Sequence, residues 1–209
     1  MDDSNQADAP QPSAGRGGPT RSLDPKLLER ILLQATTAPS EYNLQPWRFL
    51  VVRDERNRRR LRAASWNRPE IDRAPVVVIV LAHHFPFRTH LEPMLEQAIA
   101  AGSCSPEKAA EIRGRAVASL ERPINHELWA TRSTMLAAAR LMWAAESLGV
   151  SSTMLEGSDA LRPEFGIPDD HSICCLIALG HEPAPDPTPG RFGLDEVCFS
   201  EHFGQPWRA

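Results

Sequence analysis

The sequence predicts an α+β fold in which a central mixed β-sheet is flanked by helices, and three observations carry that expectation. Residues 74–81 and 172–180 are short apolar runs, the first β-branched, of the kind that fill a strand covered on both faces. Two other stretches repeat apolar residues at helical steps: Leu27, Leu28, Ile31, Leu32 and Ala35, then Met135, Ala138, Ala139, Met142, Ala145 and Leu148. The 209 residues are 42% hydrophobic and 24% charged, which suffices for one core of ordinary size.

In chain order, residues 1–22 are rich in Asp, Gln, Ser, Pro and Gly and have little apolar surface to repay ordering. They read as a flexible arm ahead of a single domain over 23–209. Asp24 is placed to cap the first helix, with Pro25 at its first position. That helix leads into Ala38-Pro39-Ser40-Glu41-Tyr42-Asn43-Leu44-Gln45-Pro46-Trp47, which opens an apolar strand at 49–52. Pro39 and Pro46 restrict the backbone on either side of the loop. Ser40, Asn43 and Gln45 carry uncharged groups that both donate and accept hydrogen bonds, as the polar edge of a flat heterocycle requires. The same residues also serve ordinary turns, and composition alone leaves both readings open.

Residues 53–62 form the most basic run of the chain, interrupted by Asp54 and Glu55, and read as the solvated face of a short helix. A turn at 66–71 containing Asn67 precedes the strand at 74–81. His83 and His84 end that strand; as neighbours they point to opposite faces, which argues against a shared metal. A helical insertion is expected around 84–125, with Ser105-Pro106-Glu107 starting one helix. Phe85, Phe87, Leu91, Met94 and Leu95 within it could line a substrate pocket or simply pack. The Ala-rich helix at 131–148 suits a central or subunit-interface position and is stopped by Gly149. A short strand at 151–155, a turn at Glu156-Gly157-Ser158-Asp159, a helix at 159–165 and the strand at 172–180 complete the core. A Pro-rich stretch follows, then Arg191.

The net charge of −4 and the pI near 6.0 give no electrostatic ground for a nucleic-acid or anionic membrane partner. No apolar run approaches the roughly 20 residues of a membrane helix. No secretion signal is evident, so a cytoplasmic location is expected. The four cysteines show no zinc spacing, and Cys174 and Cys175, as strand neighbours, are not expected to pair.

The pattern A-P-S-x-x-N-x-Q-P-W-x-F over residues 38–49 resembles the signature loop of the FMN-dependent nitroreductase family. The resemblance implies an intertwined homodimer with FMN at the subunit interface and NAD(P)H as co-substrate. It implies that Pro39, Ser40 and Asn43 lie against the flavin from the neighbouring subunit, with Trp47 anchoring the loop. It places Asn67 at the pyrimidine side of FMN, and Leu155, Glu156 and Gly157 at the flavin N5 and O4 edge. Arg191 would serve the phosphate. The family's Arg-Arg-Ser-x-Arg opening is degenerate here, where Arg16, with Ser13 and Arg21, could stand in. The implied activity is ping-pong reduction of nitroaromatic, quinone or related small-molecule acceptors, with no catalytic side chain and no metal required. Alternatives are a flavin oxidase or dehydrogenase of a particular metabolite, or a non-catalytic flavin-binding dimer.

Overall fold

The computed structural model describes residues 22–180 and 190–207. Helix α1 (Pro25–Ala35) starts as the sequence indicates, with the Asp24 carboxylate accepting from the Lys26 backbone N–H at 3.0 Å and Pro25 in the first turn. A loop with one 3₁₀ turn (Glu41–Asn43) leads to β1 (Trp47–Val52). Helices α2 (Glu55–Ala63) and α3 (Pro69–Arg73) connect it to β2 (Val76–His83), every residue of which is buried. The chain continues through α4 (Phe87–Ala100), α5 (Pro106–Leu120) and α6 (His126–Ser147) to β3 (Ser151–Leu155). Then come α7 (Leu161–Phe165), β4 (His171–Gly180) and α8 (Leu194–Val197).

The four strands form one sheet in the order β1-β2-β4-β3. The expectation of a mixed sheet is corrected on one point: every pairing among the described residues is antiparallel. Residues 74–81 read like a parallel strand because helices cover both faces of the sheet, and double burial erases the alternation that marks most antiparallel strands.

Side chains of alternate parity divide β2 between two cores. Val76, Val78 and Val80 face α1 and α6, meeting Leu28, Ile31, Ala138 and Leu141. Val77, Ile79 and Leu81 face α2, α3 and α7, meeting Leu61, Ile71 and Leu161. A third cluster joins α4 and α5 to Leu44 of the loop. The small side chains of α6 (Ala130, Ala137, Ala138, Ala144 and Ala145) are buried within the chain's own fold, while Leu128, Leu136 and Trp143 are exposed on the helix. The helix begins at His126, earlier than its periodicity suggests, because Asn125 caps it by accepting from the Leu128 N–H. Gly149 follows its end at φ 72°, a left-handed position that glycine takes without steric cost.

Cys174 and Cys175 do not alternate between the two faces of the sheet as strand neighbours are expected to. The β2–β4 register slips where Val80 pairs with Cys175 but Leu81 pairs with Ile173, leaving Cys174 as the extra residue of a bulge. Both cysteines therefore pack on the α1/α6 core. Both, with Cys104 and Cys198, are free thiols. No described helix is long and apolar enough to cross a membrane.

Candidate functional site

The loop between α1 and β1 is held in an unusual backbone conformation. Tyr42, Asn43 and Gln45 all sit at positive φ (52°, 55° and 48°), a region where non-glycine residues cost about 1 kcal/mol or more. Such strain persists only where surroundings impose it. The Gln45 N–H donates to Ser40 Oγ at 3.0 Å, closing the loop on itself. Leu44 is fully buried, and Trp47 is buried beside Ala38 and Ala137 of α6. Trp129 of α6 donates its indole N–H to Glu41 at 2.6 Å. Trp47 thus packs under the loop, Ser40 is engaged within it, and the Asn43 side chain is exposed at an open groove of about 570 Å³. Of the apolar residues proposed for a substrate pocket, Met94 reaches this groove, whereas Phe87, Leu91 and Leu95 are core.

A second region forms on the other face of the sheet. Trp66 and Asn67 follow α2 at φ 49° and 54°, with the Asn67 N–H donating to the Arg62 carbonyl at 3.1 Å. The Ser158 hydroxyl donates to the Ala64 carbonyl, drawing the 156–158 turn toward the Asn67 turn. Asn67 and Glu156 are exposed. Leu155 is buried, so only its backbone is available to a ligand. Gly157 has a reason to be glycine within the fold itself: a Cβ there would lie 2.5 Å from Cγ2 of Ile173. Beside Asn67, Arg58, Arg59 and Arg62 line a cavity with Glu55 and Asp72. Arg59 pairs with Glu55 and Arg62 with Asp72, which is the solvated, internally neutralised face the sequence suggests.

Asn43 and Asn67 therefore do not meet within one chain. The Asn43 loop packs on the α1/α6 face and the Asn67 turn on the α2/α7 face. Both lie toward the end of the sheet where Trp47, Ala82 and Ser172 are in register, and Gly157, which follows the edge strand β3, lies against Ile173 of the inner strand β4. Two strand spacings separate β1 from β4, about 10 Å. Pro39 is exposed at the loop entrance and Arg191 on the coil before α8. Arg16 lies outside the described residues, as do residues 181–189.

Sequence reasoning passed over a cluster of charged and imidazole groups between the two regions. Arg48 of β1 donates from one terminal nitrogen to the carbonyls of Gln45 (3.2 Å) and Trp47 (2.8 Å). From the other it reaches His83 Nδ1 (3.4 Å) and His90 Nε2 (2.9 Å). His90 Nδ1 lies 3.0 Å from the Leu44 carbonyl. His83 Nε2 lies 3.6 Å from Asp170, whose carboxylate also takes the His171 Nδ1 contact at 2.7 Å. Burial, reinforced by His171 and Arg48, pushes His83 down to about 4. The His171 hydrogen bond holds Asp170 below the usual carboxylate range. On the other side of the strand end, His84 meets the Ser172 hydroxyl (2.8 Å), which donates to Glu127 (2.8 Å). The members of the Arg48 cluster are too far apart in sequence for any motif to reveal them. Among the described residues, no group of three or more His, Cys, Asp or Glu side chains is arranged to hold a metal.

Comparison with known proteins adds an independent observation. A family model described as the nitroreductase family matches residues 19–181. The chain is 32% identical over 174 residues to a Thermus thermophilus protein named NADH dehydrogenase, covering 82% of this chain and 83% of that one. It is 26% identical over 186 residues to the oxygen-insensitive NAD(P)H nitroreductase of Salmonella typhimurium, covering 82% and 85% respectively. A structure from Exiguobacterium sibiricum, assigned as a nitroreductase and solved in complex with FMN, superposes with a TM-score of 0.80 at 20% identity, covering 90% of this chain and 92% of that one.

Proposed function

The chain belongs to the nitroreductase family, a group of flavin oxidoreductases, and from that premise we propose that it uses FMN to pass electrons from NAD(P)H to a small-molecule acceptor, as a homodimer. Nitroaromatics and quinones are the acceptor class the reading favours. The observation that carries it is the division of the candidate residues into two exposed halves. Asn43 lies on one face of the sheet, and Asn67, Glu156 and Gly157 on the other. Neither half encloses a ring, so a second copy of the chain completes each.

The residues fit FMN by their donor chemistry. The Asn43 and Asn67 amides are exposed and uncharged, suited to the carbonyl and N–H edge of the isoalloxazine. A guanidinium such as that of Arg16 or Arg191 suits the phosphate, which it can meet with two parallel bonds. When bound, FMN supplies the two-electron chemistry; the protein supplies binding, orientation and exclusion of water. The Asn43 loop, held strained in advance, orders little on binding and so loses little affinity to entropy. A dimer is supported by exposed apolar side chains: Leu136 and Trp143 on α6, and Phe192, Leu194, Val197 and Phe203 in the C-terminal segment.

The test is an absorbance spectrum of purified protein, then anaerobic titration with NADH and with NADPH, alongside the mass in solution by light scattering. A yellow dimer bleached by either nicotinamide is expected. Colourless protein that takes up no added FMN overturns the reading, and a flavin that neither nicotinamide reduces favours an oxidase or dehydrogenase of another substrate.

A further inference from the structure

Resting on the flavin reading above, we propose that Arg48 is the positioning residue of the FMN half-site: its four terminal N–H groups set the shape of the Asn43–Gln45 loop and tie that loop to α4. The two terminal nitrogens of a guanidinium carry four N–H donors and no acceptor. Here those four meet four partners, the carbonyls of Gln45 and Trp47 and one ring nitrogen each of His83 and His90. The terminal donors are therefore committed within the fold, so Arg48 positions the loop although it borders the groove beside Asn43.

The arrangement constrains the histidines as well. Because Arg48 can only donate, the nitrogens it meets must accept. That leaves His90 Nδ1–H to donate to the Leu44 carbonyl and His83 Nε2–H to face Asp170. Both rings are thereby fixed as opposite neutral tautomers. The charged and titratable groups facing this centre are Arg48 from β1, His83 from β2, His90 from α4, and Asp170 and His171 at the start of β4. Two loop carbonyls, those of Leu44 and Gln45, are thus held by side chains from α4 and β1. With Leu44 buried against α4 and α5, this explains how three residues at positive φ stay in place. It also couples the helical insertion to the cofactor half-site, because moving α4 moves His90, and His90 holds both Arg48 and Leu44.

Lysine cannot replace this fork, since its single ammonium has three donors at one point. The experiment compares wild type with Arg48→Met and Arg48→Lys, using Arg113→Met, which removes a surface pair with Glu92 on the insertion, as the control. Two readouts are taken: FMN affinity with kcat and KM, and nitrogen-15 spectra of the histidine rings and of the Asn43–Gln45 amides. Wild type should show His90 as the Nδ1–H tautomer and His83 as the Nε2–H tautomer. Both Arg48 variants should lose this pattern, shift the loop amides, and weaken FMN binding by about tenfold, as loss of preorganisation predicts, with kcat for flavin-loaded enzyme little changed. Arg113→Met should match wild type. If wild type binds no FMN the functional reading fails, and the ring and amide spectra still decide the role of Arg48. Unchanged tautomers and loop amides in Arg48→Met overturn the proposal, as does recovery of wild-type behaviour by Arg48→Lys.

Discussion

Cys174 and Cys175 point into the same core although they are adjacent on a strand, because the ladder between β2 and β4 skips Cys174 between the partners of Val80 and Leu81. Their shared environment has a chemical consequence. Burial raises the Cys174 thiol to about 11 and the Cys175 thiol to about 12, so at neutral pH almost none of either is the reactive thiolate. In native protein at pH 7.5, a disulfide-exchange reagent should therefore titrate Cys104 and Cys198 first, react more slowly with Cys174, which is equally half-exposed but has a raised thiol, and leave buried Cys175 unreacted for at least about 100 times longer. All four should react at once in denaturant. Modification of Cys175 in the native state as fast as that of Cys104 would contradict its burial in this core.

Gly157 and Ile173 make a second close relationship, with a predictable energetic sign. Alanine at 157 would place its Cβ 2.5 Å from Ile173 Cγ2, a branched methyl that cannot swing away without moving the strand. Gly157→Ala should lower stability by about 1–3 kcal/mol, the usual cost of overpacking. Ile173→Ala removes the obstructing methyl, so the double variant should be more stable than the sum of the single changes implies, by about 1 kcal/mol or more. Urea unfolding of the four proteins checks this. Strict additivity would mean the glycine is required for some other reason.

Much of this architecture is legible from residue order, because it follows from local rules. Asp24-Pro25 and Ser105-Pro106 each begin a helix, and the strand at 151–155 has the ends its sequence suggests. What stays hidden depends on distant neighbours. Strand direction in β2 is masked by helices on both faces, and the Cys174 bulge is a property of the pairing. The signature loop announces itself through its composition, yet the group holding it, Arg48, stands at a variable position of that pattern. Its significance appears only when His83 and His90, 35 and 42 residues away, are brought to it.

Acid should destabilise the protein through His83, beginning at a pH above that at which the carboxylates titrate. Its folded value of about 4 lies below its ordinary 6.5 because of burial, then His171 and Arg48. Between those values the unfolded chain binds a proton that the folded chain does not. Stability is therefore fully present above 6.5 and declines as pH falls toward 4. Partial contact of the ring with solvent reduces the effect to about 1–2 kcal/mol, less than the full displacement would represent. Asp170, lowered from 3.8, acts in the same direction but only at more acid pH. Urea midpoints measured from pH 7.5 to 4.2 should fall, and His83→Gln should flatten the slope. A flat wild-type profile would rule the assignment out.

The division of the candidate site into two halves predicts complementation between subunits. Asn43 and Asn67 both sit at positive φ, so glycine at either position removes the amide without adding backbone strain. Asn43→Gly and Asn67→Gly should each fold normally and bind FMN weakly, by about tenfold or more if each amide makes one hydrogen bond to the ring. Unfolding and reassembling the two variants together at equal concentration makes half of the dimers mixed. In a mixed dimer, a site built from Asn43 of one chain and Asn67 of the other occurs once with both amides and once with neither. About a quarter of all sites should then regain wild-type FMN affinity, by random pairing in a symmetric dimer. If both asparagines act on a cofactor held by one chain, every mixed site still lacks one amide and nothing is regained. Fluorescence titration of the reassembled mixture separates the two outcomes, and an absence of any tight-binding fraction would exclude a site shared across the dimer.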